Sequence, residues 1–339
     1  MKPAAALLAL ALLALALLLA GPLRAAEPSP HAIELPPVFR ETFLDIRADA
    51  RDAAREGKRL MLYFGQDGCP YCRRLMQDNL RQKDIAERVE KHLYPIAFNI
   101  WGDREVTWLD GSVVTEKALA ARLKVQFTPT LLFFDESARV IARINGYYPP
   151  HRFRAAIDYV IGRMEHRSTF ADYMRSAVKE PASGTLNDQP FFLRPPLDLA
   201  RSGKTKPLAL LVEQVACQAC DEMHGGALNS EETRRVLRAF DVARIDLFGS
   251  TPLTGPDGKR TTEAGLARAL QVAYTPSVLL FDSAGREVLR VEGYVRAHHL
   301  QSALDYVASG VYRSQPSFQR YLQERTERLR KQGVDVRLW

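Results

Sequence analysis

Cysteine is scarce in this chain. Four occur in 339 residues, and they stand only as Cys69-Pro70-Tyr71-Cys72 and Cys217-Gln218-Ala219-Cys220. That scarcity excludes a disulfide-dense scaffold held together by many bridges. Long apolar runs are equally few. After an Ala/Leu run over residues 4–20, no segment is apolar enough for long enough to cross a bilayer. Basic clusters interleaved with aromatics are missing too. The net charge of +7 therefore does not read as a nucleic-acid surface. The basic residues scatter over helix faces and the C-terminal segment, a pattern compatible with acidic partners or lipid head groups.

What is present begins at the N-terminus. Met1-Lys2-Pro3, the apolar run and the small residues Ala25-Ala26 describe a signal peptide over residues 1–26. An uncleaved membrane anchor is the alternative, because the run is long enough to span. Either reading exports the body to the periplasm, free in the first case and tied to the inner membrane in the second. An oxidising compartment lets disulfides form and persist.

The body of the chain says one thing twice. The two C-x-x-C pairs are offset by 148 residues. Gly146-Tyr147 matches Gly293-Tyr294, and Asp158-Tyr159-Val160 matches Asp305-Tyr306-Val307. Such a repeat marks tandem duplication. Residues 27–40 read as a linker, 41–180 as a first domain, 181–196 as a Pro/Ser/Gly-rich linker, and 197–339 as a second domain ending in an amphipathic helix.

Each unit alternates strand and helix. In the first, residues 41–56 read as a helix closed by Gly57, and Leu60–Phe64 as a buried strand. A helix opens at Cys72, a strand covers 92–100, and a helix covers 115–123. Strands at 130–135 and 140–145 form a hairpin-like pair before a helix over 152–164. The expected fold class is α/β: two tandem domains, each a mixed central sheet flanked by helices.

A strand, a C-x-x-C that opens a helix, and a Thr-Pro before a later strand together resemble the thioredoxin superfamily. The CPYC pair, the insertion over 101–114, the run Phe127-Thr-Pro-Thr-Leu-Leu-Phe-Phe-Asp135 and the leading helix most resemble the SoxW-type periplasmic thioredoxins. The resemblance covers the body of the chain as two copies. It implies protein thiol–disulfide exchange, with Cys69, Cys72, Cys217 and Cys220 as the reacting residues. It implies substrate positioning by Pro70, Tyr71 and two cis-prolines, at Thr128-Pro129 and Thr275-Pro276. It implies protein partners carrying disulfides or thiols, a membrane electron donor of the DsbD type, and no cofactor or metal beyond the redox-active disulfides.

Physical chemistry supports that assignment. A cysteine at a helix N-terminus faces backbone N–H groups and the positive helix end, which favour the reactive thiolate. Cys69 and Cys217 would attack a partner disulfide. Cys72 and Cys220, one turn on, would resolve the mixed disulfide. Three other readings stand beside this one: fixed structural disulfides, one zinc held by all four thiolates, and prolines that merely start strands.

Two departures from the thioredoxin pattern bear on mechanism. The buried aspartate six residues before the first cysteine is replaced by Tyr63 and Leu211. The tryptophan just before that cysteine is replaced by Gly68 and Ala216. Another base or water must then take the resolving proton. Glu213 reads as a solvated rim residue and Tyr63 as core. His224, one turn past Cys220, could tune its thiol. His151 and His298 read as helix-start residues, capping or exposed. Trp101 and Trp108 read as a partner-binding lip or as packed loop anchors. Phe318, Tyr321, Leu322 and Leu329 share one face of the last helix, which reads as docking on its own domain. Function falls into two classes: an oxidoreductase, for which the resemblance suggests the reductive direction, or a binding and chaperone-like module with inert disulfides.

Overall fold

The computed structural model describes residues 33–336. The expected signal peptide or anchor lies outside the described residues. In the first half, α1 (Ile46–Arg55) leads into β1 (Arg59–Gly65), then α2 (Pro70–Arg74), which runs on as one π-helical stretch over Leu75–Leu80. Next come α3 (Lys83–His92), β2 (Leu93–Asn99), a small hairpin of β3 (Glu105–Thr107) and β4 (Val113–Thr115), and α4 (Glu116–Arg122). The half closes with β5 (Thr130–Phe134), β6 (Val140–Asn145), α5 (Pro150–Ile161) and α6 (Phe170–Ala177).

The second half repeats the plan. It contains β7 (Leu197–Asp198), β8 (Leu208–Glu213), α7 (Gln218–Gly225), α8 (Glu231–Leu237) and β9 (Asp241–Asp246). Then follow β10 (Pro252–Thr254), β11 (Arg260–Thr262), α9 (Glu263–Ala269), β12 (Ser277–Phe281), β13 (Glu287–Glu292), α10 (Ala297–Ala308) and α11 (Phe318–Lys331).

Each half is built on a four-stranded mixed sheet, ordered β2-β1-β5-β6 and β9-β8-β12-β13. The central strands are apolar between their ends because both faces are covered. Every residue of β1 is buried. Alternation still sorts its side chains: Met61 and Tyr63 pack on one face, and Leu60, Leu62 and Phe64 on the other. A change such as Phe133→Ala empties a fully buried site. It should cost about 3–5 kcal/mol.

Local chemistry sets the helix ends. The leading helix was expected from residue 41, yet it starts at Ile46. Thr42 Oγ1 accepts the Leu44 N–H at 3.1 Å, and Leu44 sits at φ +58°, so the chain turns before the helix can begin. Asp45 then caps it, accepting the N–H groups of Arg47 and Ala48 at 3.1 Å each. Thr115 and Thr262 cap α4 and α9 in the same way. The insertions form the small hairpin in the first half and a three-stranded sheet, β11-β10-β7, in the second.

The halves meet about a pseudo-two-fold relation. Asn145, at the end of β6, hydrogen-bonds Glu292, at the end of β13. A side chain at Gly146 would come within 3.4 Å of Glu292 O, and one at Gly293 within 3.8 Å of Asn145 O. Both glycines hold positive φ, +88° and +93°, which glycine alone adopts freely. Matched residues facing matched residues is the self-complementary contact of a two-fold dimer, here made within one chain.

Candidate functional site

Each C-x-x-C pair forms where a buried strand hands over to a helix. In the first half, Gly68 at φ +72° turns the chain, and Cys69 becomes the N-cap of α2. Its sulfur accepts the Cys72 N–H at 3.0 Å. Pro70 takes the first helical position, where a missing N–H costs nothing. In the second half Cys217 caps α7 and accepts the Cys220 N–H at 3.1 Å. Both pairs are disulfide-bonded, with Cα atoms 5.2 Å apart in each. Each sulfur is bonded to its neighbour in its own half.

The two Thr–Pro bonds, Thr128–Pro129 and Thr275–Pro276, are cis. In the first half this loop reaches the cysteine: Thr128 Oγ1 donates to Cys69 Sγ at 3.3 Å, and Thr128 O lies 3.4 Å from it. In the second half Thr275 lines a cleft with Ala216, Gln214, Arg152, Met174 and Arg175.

All four cysteines are buried, Cys69 at 4% exposure and the other three at 1% or less. The opposite half covers them. Tyr71, between the first two cysteines, accepts the Arg296 N–H at 3.3 Å, and His299 packs on its ring at 5.3 Å. The trailing helix of each half lies on the other half's site. From α11, Phe318 packs on Phe127 at 5.0 Å, and Gln319 donates to Gln126 O at 2.8 Å. Gln66 donates to Gln319 Oε1 at 2.9 Å and to Thr128 Oγ1 at 3.2 Å. Arg320 sits over Trp101, as Arg175 of α6 sits over Phe248 at the matching loop, 5.3 Å and 3.8 Å from the ring centres.

Several sequence expectations change here. Glu213 is not a solvated rim residue. It is fully buried, because it closes a strand covered on both faces, and its Oε1 lies 2.6 Å from His224 Nε2. His298 is not exposed either. It is buried and bonded to Thr326 at 2.8 Å, whereas His151 is exposed and meets Glu180. Trp108 is a packed anchor against Phe134. Trp101 donates to Gln66 Oε1 at 2.6 Å and lies beneath α11. The last helix docks on its own half through Phe318 and Tyr321 against Tyr306, and on the first half as well. Gln66, His299 and Arg152 had no sequence signal. Their roles come from the opposite half, and Arg152 bridges Tyr274 and Glu180.

With this geometry in hand, the family match is decisive. The thioredoxin-like domain model matches residues 46–161 and again 197–308. The chain belongs to that family. Solved structures similar to it include a thioredoxin-fold protein from Helicobacter pylori, 24% identical, with a TM-score of 0.31, covering 35% of this chain and 79% of its own. A DsbH oxidoreductase is 16% identical, with a TM-score of 0.29, covering 42% of this chain and 94% of its own. The C-terminal domain of Neisseria meningitidis DsbD in the reduced form is 15% identical, with a TM-score of 0.26, covering 34% of this chain and 93% of its own. No curated protein matches the chain. The thioredoxin-like halves, each carrying a paired and bonded C-x-x-C, mark a thiol–disulfide oxidoreductase.

Proposed function

We propose that this protein is exported to the periplasm and reduces disulfides in protein partners through its two C-x-x-C sites. The observation that carries this reading is the first site, where a bonded cysteine pair opens a helix and a cis-proline loop touches the leading sulfur. In the reduced state the Cys69 thiolate attacks a partner disulfide. One partner sulfur leaves as thiolate, and the other stays bonded to Cys69. Cys72 then attacks Cys69 Sγ, the protein disulfide forms, and the second partner sulfur leaves. Two electrons pass to the partner. Cys217 and Cys220 perform the same exchange. A membrane donor of the DsbD type would restore both pairs, and the cysteines need no further cofactor. The N-terminal Ala/Leu run supports export.

A redox titration tests the reading. The protein is equilibrated in glutathione buffers, trapped by alkylation, and each pair quantified by peptide mass spectrometry. A potential between about −270 and −120 mV at either pair supports exchange. Potentials below about −300 mV at both would mark fixed structural disulfides. That result would favour the second reading, a binding module, which the burial of all four cysteines keeps in view.

A further inference from the structure

Among the buried polar atoms with no hydrogen-bond partner in the described residues are two on the strands that lead into the C-x-x-C pairs: Tyr63 Oη in the first half and Glu213 Oε2 in the second. The two occupy the same place by different routes. Gly65 and Glu213 each stand four residues before the first cysteine of their pair. A Cβ at Gly65 would fall 1.9 Å from Tyr63 Oη, so the Tyr63 hydroxyl fills the space that the Glu213 side chain fills in the other half. Tyr63 packs in one cluster with Cys69 and Cys72. By the repeat, that position puts the Glu213 carboxylate beside Cys217 and Cys220. His224 agrees, since it lies one helical turn beyond Cys220 and both are buried on α7.

The hydrogen bonds fix what the second group can do. Gln189 Nε2 lies 3.1 Å from His224 Nδ1 and donates to it. The imidazole proton is then on Nε2, which donates to Glu213 Oε1. The carboxylate is left with Oε2 free to accept, in a place where an unpaired buried acceptor is costly. In the disulfide form the pair has no S–H to offer it. In the reduced form Cys220 does. The first half differs: burial raises the Tyr63 phenol well above its ordinary range, so it stays protonated and is a poor proton acceptor.

We propose that Glu213, held by His224, takes the proton of the Cys220 thiol when the second pair resolves a mixed disulfide, and that the phenol of Tyr63 gives the first pair no such acceptor. This rests on the exchange reading above. In the step, the Cys220 proton passes to Glu213 Oε2, and the sulfur electron pair forms the bond to Cys217 Sγ. The bond from Cys217 to the partner sulfur breaks, and that sulfur leaves as thiolate and takes a proton from water. Glu213 returns its own proton to water. The other titratable or charged groups packed around the couple are Asp221 on α7, Arg244 and Asp246 on β9, and Tyr294, whose hydroxyl approaches Gly226. They are common to all variants below.

The test uses the full chain with Cys69→Ser and Cys72→Ser, so that only the second pair reports. Cysteine Cβ carbons are labelled with ¹³C, and the reduced protein is titrated by NMR. With Glu213→Gln, the Cys220 midpoint should move by about one pH unit or more. Release of glutathione from a Cys217 mixed disulfide should slow about 10²-fold near pH 7. The loss should shrink as pH rises past the ordinary thiol value of about 8.5. His224→Gln should act in the same direction, and it carries the test if Glu213→Gln does not fold. Superimposable Cys220 titrations and equal release rates overturn the proposal, even if melting temperature falls, because a purely structural ion pair would change stability alone. If Cys217 forms no mixed disulfide, the exchange reading fails, while the NMR titration still decides the role of Glu213.

Discussion

At the residue scale, the covered site is poised against acid. His298 and His299 are buried in α10, between Tyr71 on one side and Thr326 and Arg325 of α11 on the other. Burial lowers His298 to about 4, with Arg325 adding repulsion, and lowers His299 to about 3. The sign follows from proton uptake. Below the ordinary value of about 6.5, the unfolded chain binds protons that the folded chain refuses, so stability falls as pH falls. Each histidine contributes at most about 1.4 kcal/mol per pH unit between those values. Urea unfolding at pH 7 and pH 5 should show a loss of about 1–3 kcal/mol at the lower pH. The double variant His298→Gln, His299→Gln should flatten that dependence. An unchanged pH slope would show that other groups set it.

The element scale shows what a sequence can and cannot reveal. The central strands were legible because continuous apolar runs need two covered faces, and the hairpin at 130–145 was legible from its spacing. Helix ends were less so: nothing in Thr42-Phe43-Leu44 announces a left-handed residue, and the π-helical stretch over Leu75–Leu80 keeps ordinary helical spacing. At the site, the cysteines and the Thr–Pro loops stand in plain view in the sequence. Glu213 was misread because one polar residue ending an apolar run looks like a rim until both strand faces are seen to be covered. The caps were also readable only as patterns. Thr115 accepts the Ala118 N–H at 3.3 Å, and Thr262 accepts the Gly265 N–H at 3.1 Å. Replacing Thr262 with Ala should cost about 1 kcal/mol. The repeat adds a check: Thr115→Ala should cost a similar amount, and thermal unfolding of the two variants measures both.

At the scale of the whole molecule, the chain folds as its own two-fold partner. The cysteine pairs were legible, but their concealment was not, because it depends on which trailing helix lies over which half. The contacts of α11 on the first site include few groups that its own half needs. Gln319 bridges Gln66 and Gln126, and Arg320 covers Trp101. Phe318 is different, since it also packs on Tyr306 of its own half. Replacing Gln319 with Ala removes contacts worth about 1–3 kcal/mol together. Arg320→Glu removes a cation–π contact of about 0.5–1 kcal/mol. The lower end of the combined loss, about 1.5 kcal/mol, already raises the population of the uncovered site about tenfold. Alkylation of reduced Cys69 should therefore accelerate about tenfold in the double variant. Cys217 should change little, because it lies under α6 instead. Arg175→Glu should show the reverse selectivity through Phe248, more weakly because Arg175 is half exposed. Equal acceleration at both pairs would mean that the halves open as one body. No acceleration at either would mean that these helices do not limit access to the sulfurs.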